Sequence, residues 1–266
     1  MAQINVVING AAGRMGQRLV AVAAGERDLQ IVAALERVEH PQLGLDAGYL
    51  AGIGELGIPL TDSLPDDGKI DAVIDFSLPA GAERMIGICR ERKLPLVVAT
   101  TGLSEEQVEK LRAASEEIPI VWAPSMSTAV NLAMNLARKA AGTLAQRDAD
   151  VEILERHHRF KVDSPSGTAL KFGEIIAQEM GITHFTHGRE GMVGARPHNE
   201  IGYHAIRTGD NPGEHTIVFG MMGETLEITV RCSSRDCYAK GAFAAARFLQ
   251  SKTTGLYDMF DVLGLK

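Results

Sequence analysis

The sequence predicts a doubly wound, parallel α/β domain joined to an α+β domain with a mixed sheet. Three observations carry that reading. The first half alternates short apolar, β-branched runs with apolar residues at helical spacing, as strands linked by crossover helices do. The turn after the first run holds glycines at positions 10, 13 and 16. From 201 to 232, three strand-like runs succeed one another with no helix between them, so the second sheet is antiparallel or mixed.

Residues 4–9 form the first strand, and Gly10-Ala11-Ala12-Gly13-Arg14-Met15-Gly16 turns the chain into a helix that stops near Gly25. Residues 29–35 form the second strand, closing on Glu36 and Arg37. Strand, glycine turn, helix and strand, with an acid 20 positions beyond Gly16, is the layout of a Rossmann-type dinucleotide site. Gly10 permits the tight turn, Gly13 lets a pyrophosphate approach the backbone, and Gly16 allows close helix packing. The spacing is GxxGxxG where GxGxxG is commoner, so the flanking elements and Glu36 supply the specificity. A glycine-rich turn without a ligand is the competing reading. Glu36 can accept from a ribose 2′-hydroxyl, which favours NAD, and Arg37 can pair with a 2′-phosphate, which favours NADP. Together they point to NADH or NADPH as the cofactor, unless Arg37 is simply solvated.

Residues 38–60 carry five glycines and little periodicity, a loop with room for one short helix. A third strand covers 70–77 and a helix 79–92, with a proline in its first turn. A fourth strand covers 96–99. Ser104-Glu105-Glu106-Gln107 is a capping box opening a helix to about Glu117, and 118–123 is the fifth strand. Ligands of such sheets sit outside the strand carboxyl ends. Ser77, Ala99-Thr100-Thr101 and Ala123-Pro124-Ser125-Met126 are therefore expected to outline a cofactor trough, although each alone is only a loop. Residues 127–146 form a long helix to which Leu132, Leu136 and Leu144, with several alanines, give an apolar face. A strand at 151–155, a helix to about Met180, a polar segment at 181–200 and the three clustered strands follow. The last helix, 239–249, docks back on the first domain. The expected division is 1–126 with 237–266 for the dinucleotide, and 127–236 for substrate binding and oligomerisation.

The net charge of -7 argues against a general nucleic-acid binder. No apolar run reaches the roughly 18 residues of a membrane span. The first apolar run lacks a preceding basic region and reads as a strand, not a signal peptide. Cys89, Cys232 and Cys237 are too few and too scattered for a disulfide framework or a zinc site, and a reducing cytoplasm suits them. His184 and His187 lack a third ligand nearby and read as surface residues, so no metal is expected. Asp258 and Asp261 read as solvated acids on a packing tail.

The densest chemistry lies between Glu155 and Leu170. Arg156, His157, His158, Arg159 and Lys161 crowd proton donors into a few positions, more than a core could hold unpaired. Ser166 then reads as an N-cap, with Gly167 and Thr168 opening a helix. A helix N-terminus suits a carboxylate or phosphate. A basic strand edge running into an ordinarily capped helix is the alternative. Beside a nicotinamide-type site, donors and an anion cradle imply hydride transfer to an anionic substrate, with His157 or Lys161 delivering the proton. Ser164 and Ser166 lie near His157, but no GxSxG elbow supports a hydrolase.

Glu155-x-His157-His158-x-x-Lys161-x-Asp163-Ser164-Pro165-Ser166-Gly167-Thr168-Ala169 is similar, at every fixed position, to the signature of the 4-hydroxy-tetrahydrodipicolinate reductase (dihydrodipicolinate reductase) family. Gly10-x-x-Gly13-Arg14-Met15-Gly16, Leu35-Glu36-Arg37, Asp75-Phe76-Ser77, Thr100-Thr101-Gly102 and Gly213-Glu214-His215-Thr216 resemble further blocks of that family. The resemblance implies NAD(P)H-dependent reduction of a cyclic dicarboxylate in lysine and diaminopimelate biosynthesis, by a cytoplasmic homotetramer assembled through the second domain's sheet. It puts His157 and Lys161 at proton-donor positions, and His158, Gly167 and Thr168 at substrate carboxylates. It puts Gly10, Ala11, Ala12, Gly13, Arg14, Met15, Glu36, Arg37, Ala99, Thr100, Thr101, Ala123, Pro124, Ser125 and Met126 at the cofactor. Ala99, Ser125, Thr128-Ala129 and Leu78 depart from the family's usual residues and bear on cofactor preference and rate. Two other functions compete: a Rossmann oxidoreductase acting on an amino-acid semialdehyde, and a non-catalytic NAD(P) sensor.

Overall fold

A computed structural model describes residues 3–266; Met1 and Ala2, counted above in the first domain, lie outside the described residues. Contacts divide the chain into two units, one comprising residues up to Thr128 together with Arg235–Lys266, the other Ala129–Ser234.

The first unit is built on β1 (Ile4–Asn9), α1 (Arg14–Ala23), β2 (Leu29–Leu35), α2 (Ala47–Leu50), β3 (Leu60–Thr61), β4 (Ala72–Asp75), α3 (Pro79–Arg92), β5 (Leu96–Val98), α4 (Glu105–Ser115) and β6 (Pro119–Trp122). The chain passes through α5 (Thr128–Leu144), β7 (Asp150–His157), α6 (Gly167–Met180), β8 (His184–His187), β9 (Glu200–Arg207), β10 (Glu214–Met221) and β11 (Glu224–Arg231). It then returns as α7 (Asp236–Leu249), β12 (Gly255–Tyr257) and α8 (Met259–Val262).

Seven parallel strands in the order β12-β6-β5-β4-β1-β2-β3 make the first sheet, which is the doubly wound arrangement expected. Alternation along β1 sends Val6 and Ile8 to one face and Val7 to the other, and each face carries its own buried cluster. Leu19 and Val20 of α1 and Phe243 and Leu249 of α7 fill the first cluster; Ile86 and Leu111 fill the second. The small residues of α7 have a reason: a Cβ at Gly241 would lie 1.7 Å from the Met126 carbonyl oxygen. Arg18 clamps α7 to α1 through both oxygens of Asp236, at 2.7 and 2.9 Å.

The second sheet runs β11-β10-β7-β9-β8. β7 pairs antiparallel with β10 and parallel with β9, so the sheet is mixed. Loop 188–199 is pinned to it by charge: Glu152 takes Arg189 at 2.8 Å and Arg196 at 2.9 Å; Glu152 also meets His204 of β9 at 2.6 Å, and a Cβ at Gly202 would collide with its carboxylate.

Five elements differ from the sequence reading. β3, β8 and β12 are edge strands of two to four residues, too short to show periodicity. Asp258 and Asp261 are not merely solvated: they form the capping box of α8, with Asp258 accepting from the Phe260 and Asp261 amides. The buried face of α5 is Val130, Ala133, Met134, Ala137 and Ala141, whereas Leu132 and Leu136 are exposed. Small side chains dominate the buried side of that helix, and the leucines fall on the other.

Candidate active site

In the first unit the predicted cofactor residues gather at strand carboxyl ends. Strand order reverses at β1, which lies between β2 and β4, and a crevice opens at such a switch point. Gly10 and Ala11 donate their amides to the Leu35 carbonyl at 3.0 and 2.9 Å, tying the glycine turn to the end of β2 just before Glu36 and Arg37. Gly10 has φ +79°, and a Cβ there would meet the Phe76 oxygen at 2.9 Å. A Cβ at Gly16 would lie 2.1 Å from the Gly10 oxygen, so this glycine lets the helix close on the turn itself. Gly13 is exposed and is the N-cap of α1. Arg14 and Arg37 are exposed, and Ala12, Met15 and Glu36 half-buried. This cradle, with no Cβ at its close approaches and an acid at the end of β2, fits a dinucleotide.

Ala99, Thr100 and Thr101 follow β5, and Ala123, Pro124, Ser125 and Met126 follow β6. Beneath them sits Asp75, fully buried at the end of β4. It accepts from Asn9 Nδ2, Ser77 Oγ and Thr100 Oγ1, each at 2.6 Å. Burial pushes its carboxyl upward from the ordinary range, with the three hydrogen bonds opposing.

In the second unit, alternation along β7 buries Ile153, Glu155 and His157 and turns Leu154 and Arg156 outward. Register brings Arg207 of β9 beside His157 and His215 of β10 beside Glu155. Glu155 Oε2 meets His157 Nδ1 at 2.5 Å and Arg207 Nη1 at 2.8 Å. Its Oε1 accepts from Arg207 Nη2 at 2.7 Å and from the Ser166 amide at 3.1 Å. Burial acts to raise the Glu155 carboxyl, but the bonds from His157 and Arg207 outweigh it and hold the group at about 2.

Ser166 caps α6, its Oγ accepting from Ala169 N at 3.2 Å and lying 3.0 Å from His215 Nε2. Burial first, and then the His157 ring beside it, depress His215 to about 4. Gly167 is exposed and Thr168 half-buried at the start of α6. His158 is half-buried, its amide donating to Asn211 O at 2.8 Å. Lys161 Nζ lies on both Asp163 oxygens, at 2.7 and 2.8 Å. The side chain of His157 keeps 10% of its surface exposed, and its Nε2 has no hydrogen-bond partner among the described residues. Such an arrangement can present a proton at one fixed atom, next to a helix N-terminus that suits an anion.

Glu155, Arg207, His215 and Asp75 are the residues that the sequence reading gave no role. The i, i+2 spacing of Glu155 and His157 on a strand could have exposed the first; nothing local marks Arg207. His184 and His187 are exposed on β8, and among the described residues no group of His, Cys, Asp and Glu is arranged to hold a metal ion. No described helix is long and apolar enough to cross a membrane.

Two family models cover the chain: "Dihydrodipicolinate reductase, N-terminus" matches residues 4–126 and "Dihydrodipicolinate reductase, C-terminus" residues 129–263. A protein named 4-hydroxy-tetrahydrodipicolinate reductase from Rhodopirellula baltica is 55% identical over 98% of this chain and 96% of its own. One of the same name from Pseudoalteromonas atlantica is 46% identical over 98% of each. Among solved structures, a dipicolinate-bound dihydrodipicolinate reductase from Paenisporosarcina sp. TG-14 aligns with TM-score 0.76 and 24% identity over 97% of this chain and 98% of that one. GenD2 of gentamicin A biosynthesis, in complex with NAD, aligns with TM-score 0.61 and 15% identity over 100% and 91%. At these identities the structural likeness is one of fold.

Proposed function

The chain belongs to the dihydrodipicolinate reductase family, and from that premise we propose that it reduces 4-hydroxy-tetrahydrodipicolinate to tetrahydrodipicolinate with NADH or NADPH. The observation that carries this is the His157 ring, anchored through Nδ1 with Nε2 left unpartnered among the described residues. When bound, the nicotinamide cofactor supplies the hydride. The chain supplies position, charge and a proton to the substrate atom that receives no hydride. His157 and Lys161 are the proton donors in this reading. His158 and the Gly167 and Thr168 amides hold the substrate carboxylates, and a dianionic substrate can replace Asp163 as partner of the Lys161 ammonium. Gly10, Ala11, Ala12, Gly13, Arg14 and Met15 hold the cofactor's phosphates, Glu36 and Arg37 its adenosine ribose, and Ala99 to Thr101 and Ala123 to Met126 the remainder of it. Glu36 and Arg37 together support use of either cofactor. A cytoplasmic homotetramer is part of the same proposal; exposed Leu154 and Ile206 on one face of the second sheet support an interface there. A semialdehyde oxidoreductase using a thiol finds no support in Cys89, which is fully buried, with burial driving its ionisation upward.

The test follows NADH and NADPH absorbance separately after addition of freshly made aldol product of pyruvate and aspartate semialdehyde. Oxidation of either is expected, with kcat lower by roughly 10²–10⁴ in His157→Gln or Lys161→Ala and cofactor affinity nearly intact. Wild-type turnover in either variant would remove the assignment, and cofactor binding without oxidation would leave a sensor.

A further inference from the structure

We propose that Glu155 is a positioning residue: it fixes which ring nitrogen of His157 carries the permanent hydrogen, and it ties that ring to the first turn of α6. The inference rests on the reading of His157 as proton donor and extends it to a residue that never touches substrate. Three features of the geometry carry it.

First, the Glu155 side chain is 1% exposed, and four donors converge on it: His157 Nδ1, both terminal nitrogens of Arg207, and the Ser166 amide. A carboxylate so surrounded is an acceptor at both oxygens. Nδ1 must then be the N–H, in the neutral and the charged ring alike, and proton exchange is confined to Nε2. Second, the Arg207 Nη2 that holds Glu155 Oε1 also donates to the Asp163 carbonyl at 2.6 Å, which ties the guanidinium to the loop after β7. Third, Oε1 holds Ser166, the N-cap of α6. One carboxylate therefore sets the ring and the helix end together, and 52 residues of chain separate it from its arginine.

The charged and titratable groups around His157 come from each neighbouring segment: Glu155 on β7, Arg207 on β9, His215 on β10 with its ring centroid 5.2 Å away, and Lys161 and Asp163 on the loop that follows. His215, depressed by burial, stays neutral near pH 7 and adds no repulsion to a charged His157. Glu155 is the carboxylate in hydrogen-bond contact with the His157 ring, through Oε2 and Nδ1.

Glu155→Gln isolates the role. An amide has one oxygen, so it cannot face His157 and Ser166 as acceptor at once. In full-length Glu155→Gln, with the fold checked by thermal melting, kcat should fall roughly 10–10³-fold with the cofactor KM unchanged. The basic limb of the pH–kcat profile should move to lower pH. Nitrogen-15 spectra of the histidines should show His157 shifting from the Nδ1–H to the Nε2–H form. In the His157→Gln background, Glu155→Gln should cost little more, since a residue acting only through His157 has nothing left to act on. An unchanged pH profile and tautomer, or full additivity of the two substitutions, would overturn the inference and leave Glu155 a structural carboxylate. Wild-type turnover of His157→Gln alone would sink the proton-donor reading instead, and the tautomer spectrum would still decide for or against Glu155.

Discussion

Asp75 sets the terms at the scale of single residues. It is a buried carboxyl with no cation among its three hydrogen-bond partners, which come from β1 and from the turns after β4 and β5. Ser77 and Thr100 have second acceptors at 3.2 Å, the Leu78 and Ser77 carbonyls; the Asn9 amide donates to Asp75 in the described network. Asp75→Ala should therefore cost on the order of 2–4 kcal/mol by urea denaturation, from stranded donors and lost packing. Asp75→Asn should cost less, because the hydroxyls can reverse and accept from the new amide. Equal loss in the two variants would show that shape, not hydrogen bonding, holds this node. The same contrast explains how much of the site could be read beforehand. His157, His158 and Lys161 announce themselves by crowding, and Gly10 and Gly16 by spacing. Arg207 and Asp75 act through partners 52 and 66 residues away, and register between distant strands decides such pairs.

Elements show which physical signals survive in a linear string. Strand β1, helix α1 and strand β2 were legible because glycine, apolar alternation and helical spacing agree over a stretch of 32 residues, Ile4 to Leu35. Strands β3, β8 and β12 were not, since two to four residues at a sheet edge form by pairing with a neighbour already in place. Helix α5 was legible in extent and misread in orientation. Its leucines suggest the buried face, but Ala137 and Ala141 are fully buried while Leu136 is 48% exposed. Ala137→Leu should then overpack the helix and lower stability by about 1–3 kcal/mol. Leu136→Gln in the same protein should change it by about 0.5 kcal/mol or less. Melting temperatures of the two variants compare the faces directly, and the reverse order would mean that α5 buries its leucine side.

At the scale of the whole molecule, charge divides the two units by their response to acid. His215 sits at about 4 in the fold against an ordinary histidine value near ~6.5. Above that ordinary value both folded and unfolded forms are neutral, and the group contributes nothing. As pH falls below it the unfolded chain takes up a proton that the fold refuses, so stability is lost down to about 4. By pH 5 the loss reaches about 2 kcal/mol. Glu155 and Glu152, each held at about 2, add a second loss of the same sign once pH drops below the ordinary glutamate range. Asp75 in the other unit is displaced upward, so the fold binds its proton more readily than the unfolded chain, and acid favours that unit through it. Self-repulsion cannot mimic the effect, because a chain of pI 5.6 carries least net charge in this very window. Lowering pH from 7 to 5 should accordingly reduce amide-exchange protection, corrected for intrinsic rates, in β7 and β10 while β1, β4 and β5 keep theirs. His215→Gln should flatten the response between those pH values, since the amide can still reach Ser166 and does not titrate. Equal loss of protection in both sheets, or an unaltered response in the variant, would move the acid sensitivity away from His215.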